Sequence, residues 1–356
     1  MKSSLYILRP VRIRRKQNTL ALEPTAKAGS YTSPIDDLAD TWPMDEEEVW
    51  WKGVPRHLPV ERVSTIYVMA PADFNSHLLV FLSQKQIPLH LFNHYGYYSG
   101  TYWPRSPYPN GTIASRQVLQ WNDPGRRLLL CKTLLEGAFY NMHRNVMYHQ
   151  RRTGKLESVL ERLKRIDEQR QTCTNIQELL GVEGQYHKVY YEFIDQTAKP
   201  VFQMKGRVFR PPDNPGNTLL SFLNSMTYTA VLSELFRTQL DPTIGLLHAP
   251  GRHRYPLAYD LAELFKPLLA DRLLLSLPNK KQIIPEHFEE SLEGCYLKEE
   301  GKKRVVRAWE SRLRTTIRHR KLDRAVSYRF LIRMEAWKLI RNLIEDKPYE
   351  SLKFWW

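Results

Sequence analysis

Residues 102–111, YWPRSPYPNG, divide the chain between two periodicities. Three prolines and a glycine in ten residues break strands and helices alike, so the stretch reads as a linker. On its N-terminal side lie short segments rich in Tyr, Val, Ile and Thr: LYILR (5–9), ALEP (21–24), STIYVMA (64–70), PLHLFNH (88–94) and YYSGTYW (97–103). Punctuated by Pro, Gly and Asn, they predict strands. One interruption is helical: FNSHLLVFLSQKQI (74–87) spaces Phe74, Leu78, Leu79, Phe81 and Leu82 along one face. Beyond the linker the period becomes 3.6. RRLLLCKTLLEGAFYNMHRNVMYHQ (126–150) and KLESVLERLKRIDEQR (155–170) are amphipathic, with Thr153 and Gly154 at the break. The expectation is an α+β chain with a small β-domain over residues 1–101, a linker over 102–111 and a larger all-α domain over 112–356.

A chain of 356 residues fits about two domains of roughly 100–200 residues each, and 42% hydrophobic content can bury them. The net charge of +15 points to a polyanionic partner, since neutralising phosphates releases counterions. Nucleic acid comes first. A membrane surface comes second, yet no apolar run approaches the roughly 18 residues of a span. The start, MKSSLYILRPVRIRRK, has too few apolar residues before its charges for a secretory signal, so a cytoplasmic location is expected. Cys131, Cys173 and Cys295 form no C-x-x-C pair and read as inert buried thiols rather than a zinc site. An acidic segment at 33–52, SPIDDLADTWPMDEEEVWWK, reads as a surface loop or insertion, with a DNA mimic or partner-binding loop as the sharper alternative.

The positive charge is concentrated. Between Gly301 and Arg341 there are 14 basic residues against three acids. Val305, Trp309, Leu313 and Ile317 fit one helical stripe, and Val326, Phe330, Trp337 and Ile340 another, which turns the arginines outward. No base-reading motif accompanies them. Contacts that hold a phosphate backbone are therefore expected.

Candidate chemistry lies in GLLHAPGRHRYPLAYDLAELFKP (245–267), where His248 precedes Asp260 and Glu263, spaced i and i+3 on a helix. On these residues alone the ordinary reading wins: a loop histidine and acids favoured by the helix dipole. Upstream, NIQELLGVEGQYHKVYYEFI (175–194) predicts a helix with capping-box spacing from Asn175 to Glu178. Glycines at 181 and 184 flank Glu183 and ask for a reason, such as close approach of another backbone or of a ligand. The apolar helix that follows, within RVFRPPDNPGNTLLSFLNSMTYTAVLSELF (207–236), carries Asn217, Ser221, Asn224 and Ser225, which either face a ligand or are satisfied by neighbours.

Three of these motifs occur in an order that resembles the CRISPR-associated spacer-acquisition integrases, the first in the numbered series of CRISPR-associated proteins. LLGVEG (179–184) is similar to that family's glycine-flanked metal-binding glutamate. RPPDNPGNTLLSFLNSMTY (210–228) with LDPTIGLLH (240–248) resembles its asparagine-bearing helix and metal-binding histidine, and PLAYDLAELFKP (256–267) its terminal acidic helix. RVSTIYVMA (62–70), IPLHLFNHYGYYSG (87–100) and GCYLKEEGKKRVVRAWESRL (294–313) extend the likeness over nearly the whole chain. Departures are Pro256 where members often have Ser, Lys266 for Arg and Ala70 for Gly.

The resemblance implies Glu183, His248 and Glu263 as ligands of Mg2+ or Mn2+, an N/O set suited to either, with Asp260 an auxiliary catalytic acid. His187 and His253 fall at positions that are not ligands in the family and read as substrate-side or incidental. Expected DNA contacts are Arg210, Asn217, Arg252, Arg304, Arg307, Arg314, Arg318, Arg320 and Arg324. The implied activity is metal-dependent integration of short foreign double-stranded DNA at a CRISPR repeat, by 3′-hydroxyl attack on a phosphodiester. The implied partners are a second copy of the chain, as a homodimer, and the small second CRISPR-associated protein. A non-catalytic DNA scaffold and a stand-alone metal-dependent nuclease on branched DNA are the alternatives.

Overall fold

The structure, a computed structural model, describes residues 2–25, 55–93, 95–105, 108, 111–208, 211–251, 254–291, 294–319 and 321–355. The acidic segment at 33–52 lies outside the described residues. The chain forms two compact units, Met1–Pro107 with Lys298–Arg307, and Tyr108–Leu297 with Ala308–Trp356.

The described residues of the first unit hold eight strands: β1 (Ser3–Ile7), β2 (Val11–Lys16), β3 (Thr19–Pro24), β4 (Arg56–Pro59), β5 (Val63–Val68), β6 (Ala72–Phe74), β7 (Leu89–Phe92) and β8 (Tyr98–Tyr102). They make two four-stranded sheets, ordered β1-β5-β7-β8 and β4-β3-β2-β6. In the first, β1, β5 and β7 run parallel and β8 closes the edge antiparallel. Leu5, Ile7, Val11, Ile13, Leu20 and Leu22 enter the core together with Leu78, Phe81 and Leu82 of helix α1 (Ser76–Gln84). Alternation sends the other side chains of the first sheet to its opposite face, where Tyr6 stacks on Tyr67 at 4.7 Å and Tyr67 lies 5.1 Å from His90.

Sequence periodicity finds β1, β3, β5, β7, β8 and α1. It passes over β2, whose outward side chains are three arginines and a lysine, and β4 and β6, which span four and three residues.

The second unit is largely helical: α2 (Gly111–Asn122), α3 (Pro124–Thr153), α4 (Glu157–Thr172), α5 (Ile176–Thr197), α6 (Pro215–Leu235), α7 (Pro256–Phe265), α8 (Ala270–Asn279), the distal part of α9 (Glu299–Arg314) and α10 (Tyr328–Glu345). Asp123 caps α3 by accepting Arg126 N–H, and Gly154, with φ of 67°, ends it in the left-handed conformation that glycine adopts at no steric cost. α6 is buried on nearly all sides, so its apolar residues show little periodic contrast.

Two short antiparallel hairpins interrupt the helices, β9 (Phe288–Ser291) with β10 (Gly294–Leu297), and β11 (Thr316–His319) with β12 (Arg324–Ser327). They correct the helical stripes expected in the basic region. α9 stops at Arg314, so Ile317 belongs to β11 and Val326 to β12, where they pair across the ladder.

Candidate active site

Two helices of the second unit bring carboxylates together. α5 starts where its capping residues put it: Asn175 accepts Glu178 N–H at 2.9 Å, and the Glu178 carboxylate accepts Thr174 N–H at 2.7 Å. Helical phase then places Glu183 and His187 one turn apart on the same face. Glu263, on α7, meets them there. His187 Nε2 lies 3.0 Å from Glu263 Oε2 and 3.9 Å from Glu183 Oε1. Among the described residues, Glu183, His187 and Glu263 each offer a ligand atom within 4.8 Å of the other two. Lys266, one turn beyond Glu263, forms an ion pair with Glu263 Oε1.

The electrostatics of this cluster are those of two buried acids competing for compensation. Burial, joined by repulsion from Glu263, pushes the Glu183 carboxyl above its usual range. Burial acts on Glu263 in the same sense, but the Lys266 ammonium and His187 outweigh it and hold Glu263 well below that range. Burial opposes charge on His187 and on Lys266 too; Glu263 overcomes it and raises both. A divalent cation fits such a place by charge and by donor type, since carboxylate oxygens with imidazole nitrogen suit Mg2+ or Mn2+.

His248 sits in the loop before α7, and Asp260 builds that loop. The Asp260 carboxylate is fully buried and accepts N–H bonds from Leu246 at 2.5 Å, Leu247 at 3.1 Å and His248 at 3.1 Å. It also takes a 2.7 Å bond from His248 Nδ1, which makes Nε2 the basic nitrogen of the neutral ring. Burial disfavours the imidazolium of His248, but the Asp260 bond and the charges of Asp260, Glu183 and Glu263 raise its pKa nonetheless. From α3, Arg127 Nε donates to Leu246 O at 2.6 Å. Gly245 is required here, because a Cβ would stand 2.4 Å from His248 O. Expected as an auxiliary catalytic acid, Asp260 has both oxygens engaged by the loop and by the His248 ring, where it can orient the imidazole. His248 itself is not one of the three residues within 4.8 Å of one another.

The family model for CRISPR associated protein Cas1 matches residues 5–311. The chain belongs to the Cas1 family. A CRISPR-associated endonuclease Cas1 of Thermodesulfovibrio yellowstonii is 40% identical over 351 residues, 99% of each chain. That of Fusobacterium nucleatum is 37% identical over 305 residues, 86% of this chain and 90% of its own. Among solved structures, a Cas1 protein from Thermotoga maritima superposes with a TM-score of 0.82 at 35% identity, over 98% of this chain and 100% of its own. A casposase bound to its integration product gives 0.81 at 17% identity, over 99% of this chain and 93% of its own, a likeness of fold. Among the described residues of this Cas1, no helix is long and apolar enough to cross a membrane.

The residues expected to touch DNA fall in different settings. Asn217 is fully buried, with its amide spent on the chain: Oδ1 accepts from Val208 N at 3.1 Å and Arg207 Nη1 at 3.0 Å, and Nδ2 donates to Gly206 O at 3.0 Å and Asp213 Oδ1 at 2.8 Å. Its amide is thus satisfied within the chain, on the segment that leads into α6. Ser221 accepts from Arg207 Nη2 at 2.9 Å, while Asn224 Oδ1 is buried with no hydrogen-bond partner, so the polar side of α6 is divided between chain-satisfied and open groups.

Arg304 pairs with Glu300 at 2.8 Å and Arg314 with Glu310 at 2.9 Å. Arg318, on the β11–β12 hairpin, is three-quarters exposed and pairs with the equally exposed Asp323. Arg324 is exposed, with its guanidinium 5.4 Å from the Phe330 ring centre, and Arg307 lies on the proximal part of α9. Arg210, Arg252, His253 and Arg320 lie outside the described residues.

Sequence reasoning sets His187 aside and gives no role to Lys266 or Arg127. The i+4 spacing from Glu183 is a signal for His187. The pairing of Lys266 with Glu263 and of Arg127 with the loop depends on tertiary placement.

Proposed function

We propose that this Cas1 is a metal-dependent DNA integrase and endonuclease of CRISPR adaptation, which joins the 3′-hydroxyl of short foreign DNA to the end of a CRISPR repeat. The convergence of Glu183 and Glu263 from two helices, compensated by the chain's own Lys266 and His187, carries this reading. Glu183 and Glu263 would hold Mg2+ or Mn2+ with His248, whose ring Asp260 orients with Nε2 as the basic nitrogen. When bound, the cation supplies Lewis acidity to a phosphodiester undergoing displacement.

The chain's residues supply the remainder. Lys266, beside Glu263, is placed to meet a phosphate oxygen once its carboxylate partner is otherwise engaged. His187 can hold or release a proton at Nε2, 3.0 Å from Glu263. Exposed basic side chains, Arg318 and Arg324 among them, would hold the DNA backbone so that attack is in line. With water in place of the 3′-hydroxyl, the same arrangement cuts DNA.

Double-stranded DNA and the small companion Cas2 are the proposed partners, with the Cas1 chain itself a homodimer in the cytoplasm. Solved neighbours of the same fold include a Cas1–DNA complex and a Cas6-RT-Cas1–Cas2 complex, which support this choice of partners.

The test is strand transfer of a labelled short duplex into a repeat-bearing DNA, with purified companion and Mn2+. Glu183→Ala, His248→Ala and Glu263→Ala should each lower it by about 10²-fold or more, the scale on which one charge-stabilising group counts in an active site. Full strand transfer by any of the three would remove that residue from the site.

A further inference from the structure

Behind the cluster, α3 carries two buried asparagines one turn apart, Asn141 and Asn145. Neither belongs to the site described above. The end of α7 explains why amides are needed there: the last carbonyls of a helix have no partner within it, and both Leu264, in the last turn, and Pro267, just past the cap, are buried. Asn141 Nδ2 donates to Leu264 O at 3.1 Å. Asn145 Nδ2 donates to Pro267 O at 2.7 Å and also to Tyr190 Oη at 3.0 Å, while its Oδ1 accepts from Arg272 Nε at 3.2 Å. Tyr190 in turn donates its hydroxyl to Asp271 Oδ2 at 3.0 Å.

The consequence lies in what these elements carry. Tyr190 stands three residues after His187 on α5, and Pro267 directly follows Lys266 at the end of α7. One amide therefore bonds the helix bearing Glu183 and the segment bearing Glu263. We propose that Asn145 is a positioning residue of the active site, fixing the separation of the Glu183 and Glu263 carboxylates and so the affinity for a divalent cation. This rests on the proposed metal site. It adds that the spacing of the two carboxylates is set from behind, by an amide that never reaches the cation. Polar groups that orient metal ligands are costly to remove, commonly about 10- to 100-fold in affinity. A purely structural amide would instead lower the melting temperature and leave the cation unaffected.

The experiment is titration of the full chain with Mn2+ alone, read by electron paramagnetic resonance, beside thermal melts. Asn145→Ala should weaken Mn2+ binding by about 10-fold or more. Tyr190→Phe, which deletes the α5 limb together with the bond to Asp271 and leaves the bond to Pro267, should weaken it in the same direction and serves if Asn145→Ala does not fold. Leu163→Ala, a core truncation on α4 outside the brace, should lower the melting temperature with Mn2+ affinity unchanged. The inference is overturned if folded Asn145→Ala, or Tyr190→Phe in its place, binds Mn2+ as the wild type does, or if Leu163→Ala weakens binding equally. Wild-type protein that binds Mn2+ no better than Glu263→Ala would sink the proposed metal site first, and this inference with it.

Discussion

Asp260 and Glu263 stand three residues apart on α7 and do different work, one inside the loop and one facing α5. In Asp260→Asn the NH2 group must face either the Leu246 and Leu247 N–H groups or the N–H and ring of His248, so either the loop that carries His248 or the ring itself loses its acceptor. Strand transfer should fall about 10- to 100-fold while the far-ultraviolet circular dichroism stays helical. An unchanged rate would deny Asp260 its hold on His248. Asp271, accepting from Tyr190, makes a second residue-level prediction. Burial pushes its carboxyl from 3.8 up to about 6. Its protonated form thus favours the fold fully below pH 3.8, and this contribution is lost as the pH rises through about 6. A shift of that size corresponds to a penalty on the order of 2–3 kcal/mol at neutral pH. Asp271→Asn keeps an acceptor for Tyr190 and cannot ionise, so its stability relative to wild type should climb between about pH 4 and pH 7 in metal-free protein. Parallel melting curves across that range would refute it. At this scale the sequence shows which residue types are present and their helical phase. It does not show which of two acids turns inward, because that depends on what α5 and the loop present to α7.

Among elements, α5 answers one question that its glycines raise. A Cβ at Gly181 or Gly184 would meet nothing within 4 Å, so close approach of another part of the chain is not their reason. Gly181→Ala and Gly184→Ala should each raise stability by about 1 kcal/mol, as the loss of glycine from a helix interior predicts. Urea denaturation checks this, and a fall in stability would show that the helix needs the glycine backbone. The long helices are legible because one face of each is polar, and α3, α4 and α5 lie within three residues of their predicted bounds. What escapes is short or charged. β2 presents arginines outward, and the β11–β12 hairpin turns where a run of arginines and apolar residues also fits helical spacing. Ladder pairing decides such cases, and a single chain's pattern does not display it.

For the whole molecule, the basic excess of the last fifty residues is partly internal. Buried Glu310 takes Arg314 and Arg329, buried Glu335 takes Lys338, and buried Glu234, from α6, takes Arg333. One of the acids that balance this region, Glu234, is therefore remote in sequence, which a local count of charge misses. The cations should sort by experiment. Arg318→Ala with Arg324→Ala should weaken DNA binding and flatten its salt dependence by about one unit of slope for each phosphate that is no longer neutralised. Arg333→Ala should instead cost on the order of 3 kcal/mol of stability, by leaving Glu234 buried without its partner. Salt titration of binding and urea unfolding separate the two effects, and an unchanged slope in the first pair would move the DNA elsewhere.

The division of α9 has a consequence in time. Its first part, through Arg307, with Val305 and Val306 fully buried and Glu299 paired to Arg9 at 2.6 Å, belongs to the N-terminal unit. The unit whose strands leave the ribosome first thus lacks a piece of itself until some two hundred further residues have been translated. Synthesis order and completion order are inverted, and the β-rich unit must wait, unfinished, for the helix that closes it.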